Sequence, residues 1–104
     1  MILTTCDTVP GREIDSTLGL CRGSAIRARH VGKDILAGLK NIVGGEMHEY
    51  SKLLAETREQ ALDRMIEDAR TQGADAVVAI RYASTAISQG AAEFLAYGTA
   101  VKLA

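Results

Sequence analysis

The feature that most constrains this fold is one long stretch of helical periodicity that ends on a glycine and runs directly into a strand. Apolar residues recur at spacings of three and four, among them Leu54, Met65 and Ala69, which places them on one face of a helix. Gly73 suits the left-handed position that ends a helix. Residues 46–72 therefore predict a single helix ~40 Å long. Because a compact domain of this size has a radius of gyration of only ~13 Å, the other elements must pack along this helix.

The composition indicates a single domain, residues 1–104, with no feature that favours nucleic acid or a membrane. The chain is 47% hydrophobic and 24% charged, with a net charge of −1. No run approaches the ~20 apolar residues of a membrane span. The first residues, MILTTCDTV, lack the basic start and the apolar core of a signal peptide. With two cysteines and no export signal, we expect a cytoplasmic protein.

The rest of the chain predicts strands on both sides of the long helix. A short strand covers residues 2–6, a long strand residues 18–28, and a short helix residues 34–40. After the long helix, residues 76–88 and 91–103 form two strands joined near Gln89 and Gly90. We expect an α+β fold in the order β-β-α-α-β-β. Its antiparallel sheet has three long strands plus a short N-terminal strand and packs on one long and one short helix.

Strand alternation gives the last two strands one bulky face and one small face. If the hairpin loop has two residues, the bulky face carries Val78, Ile80, Tyr82, Leu95, Tyr97, Thr99 and Val101. The small face carries Val77, Ala79, Arg81, Ala83, Thr85, Phe94, Ala96, Gly98, Ala100 and Lys102. We expect the long helix to cover the bulky face and leave the small face open. An apolar face that one chain leaves open is commonly buried by identical copies, so we predict a homo-oligomer.

Three segments carry a family resemblance that spans nearly the whole chain: DILAGLKNIVGGEMHEY, ALDRMIEDARTQGADAVVAIRY and EFLAYGTAVKL. They resemble the YbjQ-like family, small bacterial proteins described as "putative heavy-metal-binding" and of unknown function. The resemblance implies a dodecin-like fold, with an antiparallel sheet wrapped on one long helix. It also implies assembly as a homopentamer.

The soft side chains do not form a metal-binding pattern. Zinc and copper sites use thiolates and imidazoles, usually in closely spaced pairs. Cys6 and Cys21 are far apart in the chain, and so are His30 and His48. We therefore predict no metal site and no cofactor within one chain, and interpret Cys21 as a small packed residue. A site assembled across a symmetry axis stays open.

No pattern predicts catalysis, and the best ligand candidates are arginines. The chain has no nucleophile motif, phosphate loop or dinucleotide fingerprint, so we predict no catalytic residue and no enzyme activity. On simple alternation, Arg81 lies among the alanines of the small face, and Arg27 has the parity to join it. Arg27 and Arg81 are interpreted either as partners in ion pairs between subunits or as ligands for an anion or small polar molecule.

These observations predict a homo-oligomer of unknown biochemical function that binds a metal or a small ligand between subunits. The alternative is a ring with a purely structural or interaction role and no ligand. In both cases the predicted partner of the chain is another copy of itself, as a homopentamer. Neither nucleic acid nor a membrane is expected as a partner.

Overall fold

A computed structural model describes residues 1–28, 45–88 and 91–104. In chain order the elements are β1 (Ile2–Leu3), β2 (Ile14–Ala28), α1 (Gly45–Thr71), β3 (Ala76–Ser88) and β4 (Ala91–Leu103). The α+β class and the long helix are confirmed, and β3 and β4 have the predicted bounds. Within the described ranges, no helix is long and apolar enough to cross a membrane.

The four strands form one mixed sheet in the order β1-β3-β4-β2. β4 runs antiparallel to both of its neighbours. β1 runs parallel to β3, pairing Ile2 with Ala76 and Leu3 with Val77, so the expectation of a purely antiparallel sheet is wrong. Side-chain alternation is the same in both pairings, which is why the sequence pattern does not reveal the direction of β1.

Two other predicted elements differ from the structure. β1 ends at Leu3 instead of continuing to residue 6, while β2 begins at Ile14 rather than at residue 18. The predicted short helix of residues 34–40 lies outside the described residues, and the described part of the chain contains one helix. Gly73 follows that helix at φ +82°, the left-handed conformation expected of it.

The helix packs on the small face of the sheet, so the prediction that it would cover the bulky face is wrong. Its fully buried Ala61, Met65 and Ala69 share one core with residues of all three long strands: Cys21, Ala25, Val77, Ile80, Ala96 and Ala100. The reason is close approach. A Cβ on Gly23 of β2 would lie 2.2 Å from the main-chain nitrogen of Met65. Only a face of small residues lets the helix backbone come this near to the strands.

A β-bulge in β3 changes which side chains share a face. Val78 pairs with Thr99 and Arg81 pairs with Tyr97, so Ala79 and Ile80 together lie opposite one residue, Gly98. Ala79 has φ 54°, a left-handed conformation that alanine rarely adopts. The extra residue turns Ile80 toward the helix and Arg81 to the opposite side. Arg81 is therefore not among the alanines of the small face, as simple alternation predicted.

A second, smaller core covers one end of the sheet side that faces away from α1. Val9, from the segment between β1 and β2, is buried there with Ala76, Val78 and Val101, and Ile14 and Leu103 pack around them. The N-terminal segment therefore covers only this end.

Candidate functional site

The side of the sheet opposite α1, beyond this second core, is open. The strand registers arrange it in rows across β2, β4 and β3: Leu20–Thr99–Val78, Arg22–Tyr97–Arg81, Ser24–Leu95–Ala83 and Ile26–Glu93–Thr85. The first row borders the second core, in which its Val78 is buried. We call these four rows the outer face. Leu20 is 61% exposed and Ile26 57% exposed, so two large apolar side chains of the edge strand β2 are in contact with solvent on this face.

The second of these rows, the arginine row, carries two positive charges on either side of a half-buried tyrosine. Nη1 of Arg81 donates hydrogen bonds to the carbonyl oxygens of Thr5, at 3.0 Å, and Ile80, at 2.8 Å. The side chain of Arg22 makes no hydrogen bond to the rest of the described chain. Neither guanidinium has a carboxylate within 4.0 Å in the part of the chain that the structure describes.

Arg27, the other predicted ligand residue, lies on the helix side of the sheet. Its Nε donates to the hydroxyl of Thr57 at 3.1 Å, and that buried hydroxyl donates to the carbonyl of Leu53 at 2.8 Å. The structure therefore does not bring Arg27 and Arg81 together, and a role for either in ligand binding stays a prediction. The arginine that shares a row with Arg81 is Arg22, which was not among the ligand residues predicted from the sequence. Alternation along β2 does place Arg22 with Leu20 and Ile26, but the bulge that brings Arg81 to the same side has no sequence signal.

A second open surface lies on β3 beyond the bulge. Residues 81–87 are all exposed. Tyr82, Ser84 and Ala86 are on the helix side of the sheet by their pairing with β4. α1 packs mainly on β2 and β4, however, and leaves this half of β3 uncovered. Tyr82 is 48% exposed and Ile87 53% exposed. We call residues 81–87 the β3 ribbon.

The outer edge of β2, in contrast, is capped by side chains of the helix. Asp68 accepts a hydrogen bond from the main-chain N–H of Arg22 at 2.9 Å. Arg64 donates to the carbonyl of Ser24 at 2.6 Å, and Gln72 donates to the carbonyl of Leu20 at 3.0 Å. These groups would otherwise be free to pair with a strand of another molecule. The two edges of the sheet therefore differ, since the helix caps β2 while the β3 ribbon extends past β1.

The cysteines do not form a metal site in the described residues. Cys21 is buried, and its Sγ donates to the carbonyl of Gly98 at 3.6 Å. Burial, followed by the negative charge of Asp68, raises the pKa of this thiol. Cys6 is exposed. The described residues contain no group of three His, Cys, Asp or Glu side chains that could hold a metal ion. They therefore do not fit a heavy metal, and the absence of a site within one chain stays a prediction because the side chains of His30 and His48 lie outside them.

The fold and its open surfaces define a class of small α+β proteins in which one helix covers one side of a mixed sheet. A family model described as "Putative heavy-metal-binding" matches residues 1–104. The chain belongs to this family, the YbjQ family, and the resemblance seen in the three sequence segments is confirmed.

Relatives of the chain are uncharacterised proteins from archaea as well as bacteria. A UPF0145 protein of Methanosarcina acetivorans is 58% identical over 103 residues, covering 99% of this chain and 97% of its own length. Another, from Photobacterium profundum, is 53% identical over 99% of this chain and 100% of its own length. The family is therefore not confined to bacteria, which corrects that part of the expectation. Neither protein's name states a reaction.

A solved structure supports the fold alone. The crystal structure of a Pediococcus pentosaceus protein of unknown function, described as belonging to the DUF74 family, superposes with a TM-score of 0.68. The match covers 100% of this chain and 98% of that one at 12% sequence identity.

Proposed function

We propose that this protein acts as a ring of identical chains that binds a small ligand between its subunits. The observation that carries the proposal is the outer face, where Leu20 and Ile26 are more than half exposed. The number of subunits, five, comes from the family resemblance. The helix buries the small face, which was expected to be open, so the argument from exposed apolar surface applies to the other side of the sheet.

The energetic argument concerns apolar surface left in water. Patches of about 300–600 Å² on a single chain often mark interaction sites. Burying ~400 Å² of such surface gains about 10 kcal/mol at 25 cal/mol per Å², which is comparable to the stability of a whole domain. The shape agrees with this argument. The described chain has a radius of gyration of 17.1 Å and extents of 54 × 23 × 16 Å, so it is more extended than a compact domain of its length.

A ring, rather than a two-fold dimer, is favoured because the chain has two different open surfaces. The outer face lies on one side of the sheet, and the uncovered helix-side residues of the β3 ribbon, Tyr82 among them, lie on the other. When one surface of a subunit packs on a different surface of the next, the contact is heterologous, and heterologous contacts form a ring when the rotation from one subunit to the next closes. Grooves between subunits in such a ring are natural ligand sites.

The test is a sedimentation experiment on the full chain and two variants. We expect the unmodified protein to sediment as a discrete oligomer. Ile26→Lys should dissociate it, because the substitution puts a charge into the buried interface. Gln60→Lys introduces the same side chain at an exposed position of α1 and should leave the oligomer intact. A well-folded monomer of 11.1 kDa for the unmodified chain contradicts the proposal.

Native mass spectrometry of protein purified without tags separates ligand binding from a purely structural ring. A mass retained in addition to the subunits supports the ligand, and clean multiples of the chain mass support the alternative. We place the assembly in the cytoplasm, where free thiols such as Cys6 and Cys21 stay reduced.

A further inference from the structure

We propose that the edge of β3 that faces away from β4 pairs with the same edge of a second copy of this chain, as two antiparallel strands related by a two-fold axis. The N-terminal segment covers the first part of this edge. The N–H of Ile80 donates to the carbonyl of Thr4 at 3.1 Å, and the carbonyl of Ile80 accepts from Nη1 of Arg81 at 2.8 Å. The cover by the chain's own segments therefore ends at Ile80.

Beyond Ile80 this edge is bare in the part of the chain that the structure describes. Main-chain groups point alternately to the two sides of a strand, so those of Tyr82, Ser84 and Ala86 point the same way as the N–H of Ile80, away from β4. β1 pairs with β3 only near its start, and no other described group bonds to these N–H and carbonyl groups. A row of unpaired donors and acceptors is a template to which another strand adds.

The chain protects its other sheet edge but not this one. Side chains of α1 cap the outer edge of β2 at Leu20, Arg22 and Ser24. Residues 82–88, with the sequence YASTAIS, contain no charged residue and no proline, which are the residues that commonly keep an exposed edge from pairing. The segment is also rich in strand-forming residue types. We infer that another strand covers it in the native protein.

The sequence of this edge is complementary to itself, which favours a second copy as the occupant. With the two-fold axis at Ser84, antiparallel pairing places Tyr82 opposite Ala86 of the partner subunit, and each serine opposite the other. A large side chain therefore lies beside a small one at both ends of the contact. The two copies of Arg81 lie ~20 Å apart along the strands at 3.3 Å per residue, so their charges do not meet.

The pairing goes beyond the proposed ring and does not rest on it. The ring contacts use the two faces of the sheet, whereas this contact uses main-chain groups at its edge, so one does not exclude the other. A two-fold contact uses the same surface on both subunits, and every interaction in it occurs twice. If every subunit of a ring makes this contact, two rings are joined.

The first test is a disulfide cross-link at the proposed axis. Opposite residues of a hydrogen-bonded antiparallel pair have Cα atoms ~5.5 Å apart, within the range that a disulfide spans. In a Cys6→Ser background, Ser84→Cys should form covalent dimers under mild oxidation at least about tenfold faster than Gln60→Cys, because paired edges hold the thiols at a high effective concentration. Gln60, at an exposed position of α1, is the matched control. Equal rates for the two variants overturn the pairing.

Sedimentation of Ser84→Lys separates this contact from the ring. The substitution places two like charges opposite each other at the axis, so it should break the pairing. If the pairing and the ring both exist, the variant remains oligomeric with half the mass of the unmodified assembly. If the ring fails and the pairing stands, the unmodified chain is a dimer and the variant a monomer. An oligomer whose mass is the same in Ser84→Lys overturns the pairing and leaves the ring standing.

Discussion

Gly23 lies directly under the backbone of α1, where a Cβ on the glycine would be 2.2 Å from the main-chain nitrogen of Met65. It would also be 2.5 Å from the carbonyl oxygen of Ala61, so two neighbouring turns of the helix block it. Main-chain atoms of a packed helix cannot move aside as a flexible side chain can. The contact fixes the distance between the helix and β2 across the whole core.

Gly23→Ala should therefore lower the free energy of unfolding by about 3 kcal/mol or more, at the upper end of the range for overpacking. Urea denaturation at a fixed protein concentration measures this, because oligomerisation makes apparent stability depend on concentration. Ser24→Ala, at the next residue on the outer face, is the control and should change stability by less than about 0.5 kcal/mol. Equal effects at the two positions would show that the helix does not rest on Gly23.

Met65→Ala should lower the free energy of unfolding by about 2–5 kcal/mol, the range for truncating a buried large side chain. Met65 has no exposed surface in the core beneath the helix. Leu54→Ala should cost less, because Leu54 is only half-buried, although helical periodicity alone ranks the two positions equally. Both values come from the same urea titrations, and a larger loss at Leu54 would contradict the observed packing.

The sequence predicts the helix but not how deeply each residue of its apolar face is buried, as Met65 and Leu54 show. Apolar residues repeating every 3.6 residues identified α1, and alternating side-chain character identified β3 and β4, because both patterns continue over many residues. Alternation separates the two faces of a sheet without saying which one receives the helix. That choice depended on distance, since Gly23 and Ala96 allow the helix backbone to come close and the bulky residues do not.

The candidate site was predicted less well than the fold, for a local reason. The left-handed residue of the bulge is Ala79, and alanine gives no signal of the kind that glycine gives. One extra residue then reversed every later face assignment on β3, which put Arg81 on the opposite side of the sheet from Arg27 and in the same row as Arg22, across β4. The direction of β1 relative to β3 likewise depends on how the chain folds back onto the sheet, and no local sequence pattern specifies that.

Ala79→Gly should raise the free energy of unfolding by about 1 kcal/mol, because a left-handed φ costs roughly that amount for a residue with a Cβ. Ala83→Gly, on the same strand, is the control. Its φ is negative, so glycine there should instead destabilise by about 0.5–1 kcal/mol through its greater freedom in the unfolded chain. Opposite signs in urea denaturation support the strained bulge. Equal losses at the two positions argue against it.

Asp68→Ala should expose the N–H of Arg22 to solvent exchange. That N–H lies at the outer edge of β2 and is bonded to the Asp68 carboxylate at 2.9 Å. Hydrogen exchange followed by NMR should show the Arg22 amide exchanging about fivefold faster in the variant, because one net hydrogen bond contributes on the order of 1 kcal/mol. Asp63→Ala removes an exposed carboxylate from the same helix and should leave this amide protected. An Arg22 amide that is already unprotected in the unmodified protein contradicts the cap.

Cys21 should make stability fall at alkaline pH. Burial and the nearby charge of Asp68 raise the pKa of its thiol, so the folded state favours the neutral form. The stabilisation from this group is therefore fully present below the pKa of the thiol in the unfolded state, and it is lost as the pH rises through the higher pKa of the folded state. Urea denaturation between about pH 7 and pH 10 should show a steeper loss of stability for the unmodified chain than for Cys21→Ala.

A disulfide reagent at neutral pH gives an independent measurement of the burial of Cys21, because the exposed Cys6 should react quickly and Cys21 only on unfolding. Rapid reaction of two thiols per folded chain would mean that Cys21 is not buried against Gly98.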